Sequence, residues 1–160
     1  MGTDLQDALA IRKVVEDWAV WRDAGDWERF RTVWHDDGWM SATWFQGPAA
    51  DFIRVTREGW DKGVSILHFL GGSAIEVAGD RAIAQTKMTI SQRGLVEGVL
   101  CDVVCTGRFH DFVQTLAIGG RNAGGSVDRR SGRGVALPVG KPGGGEQSRK
   151  IKIFLGLVFA

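Results

Sequence analysis

The hydrophobic period of this chain changes near residue 64, from one typical of helices to one typical of strands. In the first part, apolar residues follow the i, i+3, i+4, i+7 spacing of one buried helical face, at Ile11, Val14, Val15 and Trp18. From Val64 onward apolar and polar residues alternate with period two, most plainly over 81–93. Helices followed by long antiparallel strands predict an α+β domain, with the helices packed on one face of a curved sheet.

Capping and breaking residues predict the bounds of three helices. The first helix should end near Ala24-Gly25, and Asp26 is a natural N-cap for a short second helix that runs to Val33. Gly47-Pro48 should open a third helix that runs to about Lys62, because proline suits the first helical turn.

Turn residues divide the rest of the domain into strands. A strand is predicted over 38–45, between the second and third helices. Gly79-Asp80 is a tight turn between a strand that begins near Val64 and the strand over 81–93. A connection over 94–98 should lead to a last long strand over 99–113.

The end of the chain differs in composition from the rest. The net charge of +1 combines 12 basic and 17 acidic residues in 1–114 with 8 basic and 2 acidic residues in 115–160. Eleven of the 23 glycines also lie in 115–160. We therefore predict a folded domain over 1–114, a glycine-rich basic linker over 115–150 and an apolar strand over 151–160.

Composition also narrows the class of protein. The first ten residues are polar and acidic, and no run approaches the roughly 18 apolar residues of a membrane span, so we expect a cytoplasmic protein with no membrane partner. The basic tail lacks interleaved aromatics, which argues against a nucleic-acid partner. Cys101 and Cys105, if on one strand, are about 13 Å apart, so we expect reduced, buried thiols.

Asp23 and His68 are the candidate catalytic residues. Asp23 lies at the end of the first helix, and His68 lies at the head of an apolar, strand-like run. A carboxylate beside an imidazole is the usual arrangement of a general base whose tautomer is fixed by an acid. The structural alternatives are a turn residue for Asp23 and a satisfied core residue for His68.

Further residues could form a binding pocket. Trp39 and Trp44 are candidates for an aromatic wall, with Met88 beside them, although large aromatics at such spacing also serve as core. Arg108 and His110 share one strand face, where they could bind substrate if that face lines a cavity, or lie at the surface if it faces solvent. The run 35–37, His-Asp-Asp, is interpreted as a solvated loop, and no metal site is predicted.

Five segments within about residues 8–114 form one pattern when they are taken together. They are Arg22-Asp23-Ala24-Gly25-Asp26-Trp27, Phe45-Gln46-Gly47-Pro48, His68-Phe69-Leu70-Gly71-Gly72, Gly79-Asp80-Arg81-Ala82 and Gly107-Arg108-Phe109-His110-Asp111-Phe112. In this order they resemble the SnoaL-like branch of the nuclear-transport-factor-2-like superfamily. The similarity is nearest to scytalone dehydratase, hexachlorocyclohexane dehydrochlorinase and bile-acid 7-alpha-dehydratase.

The resemblance implies a cone-shaped sheet with three N-terminal helices around an apolar cavity. It also implies a lyase that needs no metal or organic cofactor, in which His68, oriented by Asp23, removes a proton from a small hydrophobic cyclic substrate while water or halide leaves. A homodimer or homotrimer is expected by the same analogy. The alternatives are an isomerase that uses the same pair, and a noncatalytic ligand-binding or scaffold domain.

Two features depart from the family pattern. The chain has no tyrosine, whereas scytalone dehydratase holds a water with tyrosines. The family closes its sheet with two more strands after an Asp-Gly-x-Trp-like turn, and the segment after Gln114 has no such pattern. The apolar run over 151–160 is the candidate to replace a missing strand.

Overall fold

Three helices and six strands make up the part of the chain that the computed structural model describes, residues 5–117 and 149–159, with side chains as far as residue 114. The elements in chain order are α1 Leu5–Ala24, α2 Trp27–Thr32, β1 Trp39–Ser41, β2 Gln46–Pro48, α3 Ala49–Asp61, β3 Ser65–Ala78, β4 Arg81–Val96, β5 Val99–Ala117 and β6 Arg149–Phe159.

The helix bounds follow the predicted capping residues closely. α1 ends at Ala24, and Gly25 then takes a φ of +68°. A side chain there would be strained, and its Cβ would lie 2.8 Å from the Trp60 ring. The Asp26 carboxylate accepts a hydrogen bond from the Arg29 backbone N–H at 3.0 Å, which caps α2 as predicted.

The strands form one sheet in the order β2-β1-β6-β5-β4-β3. All neighbouring strands are antiparallel except β1 and β6, which are parallel. The α+β class with N-terminal helices and an antiparallel sheet is therefore confirmed. β3 lies at one edge of this sheet, next to β4 alone among the described strands.

Two strand predictions need correction. The strand predicted over 38–45 ends early, at Ser41, because the Ala42 N–H bonds to the Phe45 carbonyl at 2.7 Å and the chain turns back. The chain returns as β2, Gln46–Pro48, where the third helix was predicted to open. The predicted connection over 94–98 shortens to Glu97-Gly98, both with positive φ, so that β4 continues to Val96. A two-residue turn of this kind matches the twist of a hairpin.

The predicted linker over 115–150 lies mostly outside the described residues. Its first three residues continue β5, and its last two begin β6. The apolar run predicted as a strand over 151–160 falls within β6 except for its last residue, which is also outside the described residues. β6 lies between β5 and β1 and joins the long strands to the short hairpin.

The core lies between the helices and one face of the long strands. Alternate residues of β4 and β5 are buried on that inner face, among them Ala84, Met88 and Phe109. α1 contributes the facing stripe at Ile11, Val15 and Trp18. Within the described residues, no helix combines the length and apolarity needed to cross a membrane.

Asp111 is an exception in this apolar core. Its side chain is 0 % exposed, on the same face of β5 as Phe109 and Val113. Neither carboxyl oxygen has a hydrogen-bond partner. Burial raises the pKa of Asp111 well above its usual range, because a charged carboxylate without a partner is unfavourable away from water.

The stability of wild type should fall as pH rises, relative to Asp111→Asn. The unfolded chain releases the Asp111 proton above about pH 4, whereas the folded chain keeps it. The free energy of unfolding therefore falls by at most about 1.4 kcal/mol per pH unit between the two pKa values. Urea denaturation at pH 5, 6 and 7 measures the difference in slope. Parallel curves for the two proteins would contradict a buried protonated carboxyl.

Candidate active site

Two short hydrogen bonds join Asp23 to His68 across 45 positions of sequence. Asp23 Oδ1 lies 2.6 Å from His68 Nδ1, and Asp23 Oδ2 accepts the His68 backbone N–H at 2.6 Å. The structure therefore brings the two predicted catalytic residues into contact. Both carboxylate oxygens bond to His68, one to the ring and one to the backbone, so two contacts fix the position of Asp23 relative to this residue.

The fold brings these residues together from a helix end and a sheet edge. Asp23 is the second-last residue of α1, and His68 is the fourth residue of β3. Because β3 is an edge strand, backbone N–H groups that point away from β4 have no strand partner there. Asp23 accepts one of them, so the carboxylate extends the hydrogen bonding of the sheet as well as binding the imidazole.

The His68 ring lies in an aromatic surrounding. The side chains of His68 and Asp23 are 4 % and 12 % exposed. The Trp18 ring is edge-on to the imidazole at 5.2 Å between centroids, and the Phe109 ring is at 6.0 Å. Packing on two sides restricts ring rotation, so the imidazole is held in one orientation.

This geometry selects one tautomer of a neutral imidazole. A carboxylate only accepts hydrogen bonds, so Nδ1 must carry the proton that faces Asp23. Nε2 then has its lone pair free, and no described residue donates a hydrogen bond to it. A histidine in this state can take a proton at Nε2 while Asp23 stabilises the resulting imidazolium.

A buried cation lies next to the pair. Arg22 is 6 % exposed, and its Nη1 has no hydrogen-bond partner. Burial lowers the pKa of Arg22 to about 10, an effect that the neighbouring Asp23 partly opposes. Arg22 therefore stays positively charged at neutral pH.

The three residues predicted to shape the pocket lie in different surroundings in the structure. Met88 is 4 % exposed on the inner face of β4, two positions from Ile90, which pairs with His68. Trp44 is 58 % exposed, and its ring lies 5.8 Å from that of Phe52. Trp39 is 51 % exposed and points away from the inner face that its neighbour Met40 occupies.

Arg108 and His110 lie on the outer face of β5. They alternate with the buried Phe109 and Asp111. Arg108 is exposed there and His110 is half-buried, and the structure does not bring either residue to the Asp23–His68 pair. The substrate-binding role of Arg108 and His110 stays a prediction.

Sequence analysis missed two buried charged residues, Arg22 and Asp111. Each of the two residues continues a periodic pattern from which the sequence analysis predicted an element. Arg22 lies eleven positions after Ile11 on the buried stripe of α1, and Asp111 alternates in phase with Phe109 on β5. Continued for one more step, the helical period predicts that Arg22 points inward, and the strand period predicts that Asp111 shares the face of Phe109.

The His-Asp-Asp run and the two cysteines do not form a set of metal ligands among the described residues. The Asp37 backbone N–H donates to His35 Nδ1 at 3.2 Å, a local contact within the loop. No group of three His, Cys, Asp or Glu side chains is placed to hold a metal ion in the described residues. Cys101 and Cys105 are free thiols, half-buried where burial had been predicted.

Curated fungal proteins are similar to about two thirds of the sequence. Pea pathogenicity protein 2 of Fusarium vanettenii is 38 % identical over 114 residues, which are 69 % of this chain and 48 % of that protein. An uncharacterized protein of Emericella nidulans is 32 % identical over 115 residues, with the same coverage of 69 % and 48 %. The chain spans about half the length of these curated relatives.

Solved structures share the fold at low sequence identity. A presumed scytalone dehydratase from Novosphingobium aromaticivorans superposes with a TM-score of 0.62 at 18 % identity, over 98 % of this chain and 87 % of that one. A dehydratase-like protein of the nuclear-transport-factor-2-like family from Streptomyces avermitilis gives 0.60 at 13 % identity, over 97 % and 99 %. These identities show the fold alone.

The family model covers most of the chain. The model of the SnoaL-like domain matches residues 3–117, a range that contains both Asp23 and His68 and ends where β5 ends. Together with the nuclear-transport-factor-2-like fold, this match shows that the chain belongs to the SnoaL-like domain family.

Proposed function

We propose that this protein is a cofactor-independent lyase that acts on a small hydrophobic cyclic substrate, as a dehydratase or a dehydrohalogenase. The observation that carries the proposal is the Asp23–His68 pair, with both carboxylate oxygens at 2.6 Å from His68 nitrogens. Neighbours of the same fold include presumed dehydratases, which supports the reaction class.

The proposed reaction starts with proton removal from carbon. His68 Nε2 takes a proton from a carbon next to the one that bears the leaving group. The electrons of that C–H bond form a C=C bond as the bond to the leaving group breaks. When hydroxide leaves, it combines with the proton held by His68, and water and the neutral imidazole result.

The side chains on the inner side of the sheet favour binding of an apolar substrate. We place the ligand in a cone between the helices and the curved sheet, against the aromatic rings around His68. Trp18 and Phe109 contact the imidazole there, and Met88 is buried on the same inner face of the sheet. Aromatic and aliphatic walls of this kind suit a hydrophobic ring.

Asp23→Asn tests the role of the pair in chemistry rather than in folding. The asparagine carbonyl can still accept the His68 backbone N–H, but its amide donates to Nδ1 and so drives the imidazole to the wrong tautomer. Elimination should fall by about 10²–10⁴-fold, as in His68→Gln, with little change in the thermal midpoint of Asp23→Asn. The measurement is the absorbance of the new conjugated double bond, over a panel of cyclic hydroxy-ketones and halocycloalkanes.

Asp17→Asn is the matched control, since Asp17 also lies on α1 and its ion pair with Lys13 is local. It should keep wild-type rates. Turnover that survives in both Asp23→Asn and His68→Gln would refute the role of the pair in elimination. No turnover by wild type, with unchanged ligand binding in His68→Ala, would favour a noncatalytic binding domain instead.

We also propose that the outer face of the sheet joins two copies of this chain. Leu67 and Phe69 on β3 and Val104 on β5 are 51 %, 57 % and 65 % exposed, and Leu67 and Val104 both flank Ser91. Apolar side chains that cluster on one sheet face mark an interaction surface.

Light scattering after size exclusion should give an oligomer for wild type and a monomer for the double variant Leu67→Glu, Val104→Glu. Two buried carboxylates in an apolar interface are unfavourable, whereas on an exposed face they cost little. Leu5→Glu, at an exposed position on α1, is the control and should leave the mass unchanged. Equal masses for wild type and the double variant would disprove this interface.

A further inference from the structure

Three buried N–H donors near the Asp23–His68 pair have no acceptor. They are Nη1 of Arg22 and Nε1 of Trp18 and Trp34, in side chains that belong to residues only 6 %, 2 % and 3 % exposed. Native proteins leave few buried donors unpaired, because each loses its water without regaining a hydrogen bond. Three in one region therefore require an explanation.

Two of the three donors belong to rings packed in series from His68, and the third belongs to the residue before Asp23. The Trp18 ring lies 5.2 Å from the imidazole and 6.3 Å from the Trp34 ring, between centroids. Arg22 follows Trp18 by one helical turn on the buried stripe of α1 and directly precedes Asp23. All three are thus connected to the Asp23–His68 pair through one helix or through ring contacts.

The charge of Arg22 has no counter-ion at salt-bridge distance in the described residues. Asp111, the buried acidic residue of the core, does not neutralise it, since no salt bridge joins the two and neither Asp111 carboxyl oxygen has a hydrogen-bond partner. Indole and guanidinium groups donate hydrogen bonds and cannot accept them. The complement of this cluster is an oxygen that accepts hydrogen bonds and carries or develops negative charge.

We propose that Arg22, with the indole N–H groups of Trp18 and Trp34, binds the oxygen of a carbonyl or phenolic ring compound beside the carbon from which His68 removes a proton. This inference rests on the proposed function and deepens it. Donors at this place stabilise an enolate oxygen that forms when the neighbouring carbon loses its proton. The chain contains no tyrosine, so phenol hydroxyls cannot supply such donors.

The cluster also favours one leaving-group chemistry over the other. A halogenated hydrocarbon offers only weak acceptors to three N–H donors, one of them charged. A hydroxy-ketone offers a carbonyl oxygen to the cluster and a hydroxyl as leaving group. The geometry therefore favours dehydration of a hydroxy-carbonyl compound over loss of halide from a hydrocarbon ring.

Calorimetric titration with 2-naphthol, naphthalene and 2-chloronaphthalene tests the preference for oxygen. Wild type should bind 2-naphthol about tenfold or more tightly than the other two, the range expected for hydrogen bonds to a charged group. Arg22→Met should lose this preference and keep its affinity for naphthalene, and Arg22→Lys should keep part of it. Arg54→Met, at a 61 % exposed position on α3, is the control and should match wild type.

The absorbance of bound 2-naphthol is a second measurement. It would not differ between wild type and Arg22→Met if Arg22 had a purely structural role. Bound 2-naphthol should ionise at lower pH in wild type than in Arg22→Met, because a buried cation favours naphtholate. Trp34→Phe, which keeps the ring but removes the donor, should weaken 2-naphthol binding and leave naphthalene binding unchanged.

The outcomes separate this inference from the function on which it rests. If naphthalene and 2-naphthol bind equally, or if Arg22→Met keeps the preference, the oxygen-binding role is overturned and the lyase is unaffected. If none of the three probes binds to wild type, the interior is no ligand site and both proposals fail. If the preference disappears in Arg22→Met while His68→Gln binds like wild type, binding and proton removal are separate roles, as proposed.

Discussion

The two hydrogen bonds from Asp23 to His68 determine how the end of α1 meets the edge of the sheet. A carboxylate in the last turn of a helix is disfavoured by the helix dipole by roughly 0.3–1 kcal/mol. An unpaired backbone N–H on an edge strand is likewise unfavourable when it is shielded from water. Each group satisfies the other at 2.6 Å, so one contact fixes the helix against the strand and orients the imidazole.

Local signals in the sequence predicted most of the elements, because the forces that set helix ends act over a few residues. Gly25 ends α1, Asp26 caps α2 and Pro48 precedes α3, all as the residue types indicate. The contact between Asp23 and His68 spans 45 positions, and periodicity alone does not establish such a contact. The shared family pattern made it predictable, and the geometry then showed it.

Sequence reasoning missed the burial of two charged groups. Charged side chains are rarely buried, so Arg22 and Asp111 were passed over, although Arg22 continues the buried stripe of α1 and Asp111 alternates in phase with Phe109. Alternation along β5 was recognised, but which of its two faces meets the helices depends on long-range packing. The sequence therefore leaves Arg108 and His110 compatible with a cavity or with the surface, and in the structure α1 packs on the Phe109 side of β5.

The unpartnered groups link the stability of the domain to its ligand. A buried cation or acid without a partner is less favourable than an apolar side chain of similar volume, so methionine at 22 or leucine at 111 would serve the ligand-free core better. The ligand-free domain is therefore destabilised at the place where Trp18, Arg22 and Trp34 leave their N–H groups unpaired. A ligand that accepts those hydrogen bonds binds only the folded state, and by mass action it raises the stability of the whole domain. The groups that destabilise the ligand-free core are thus the ones that select a ligand with a hydrogen-bond acceptor.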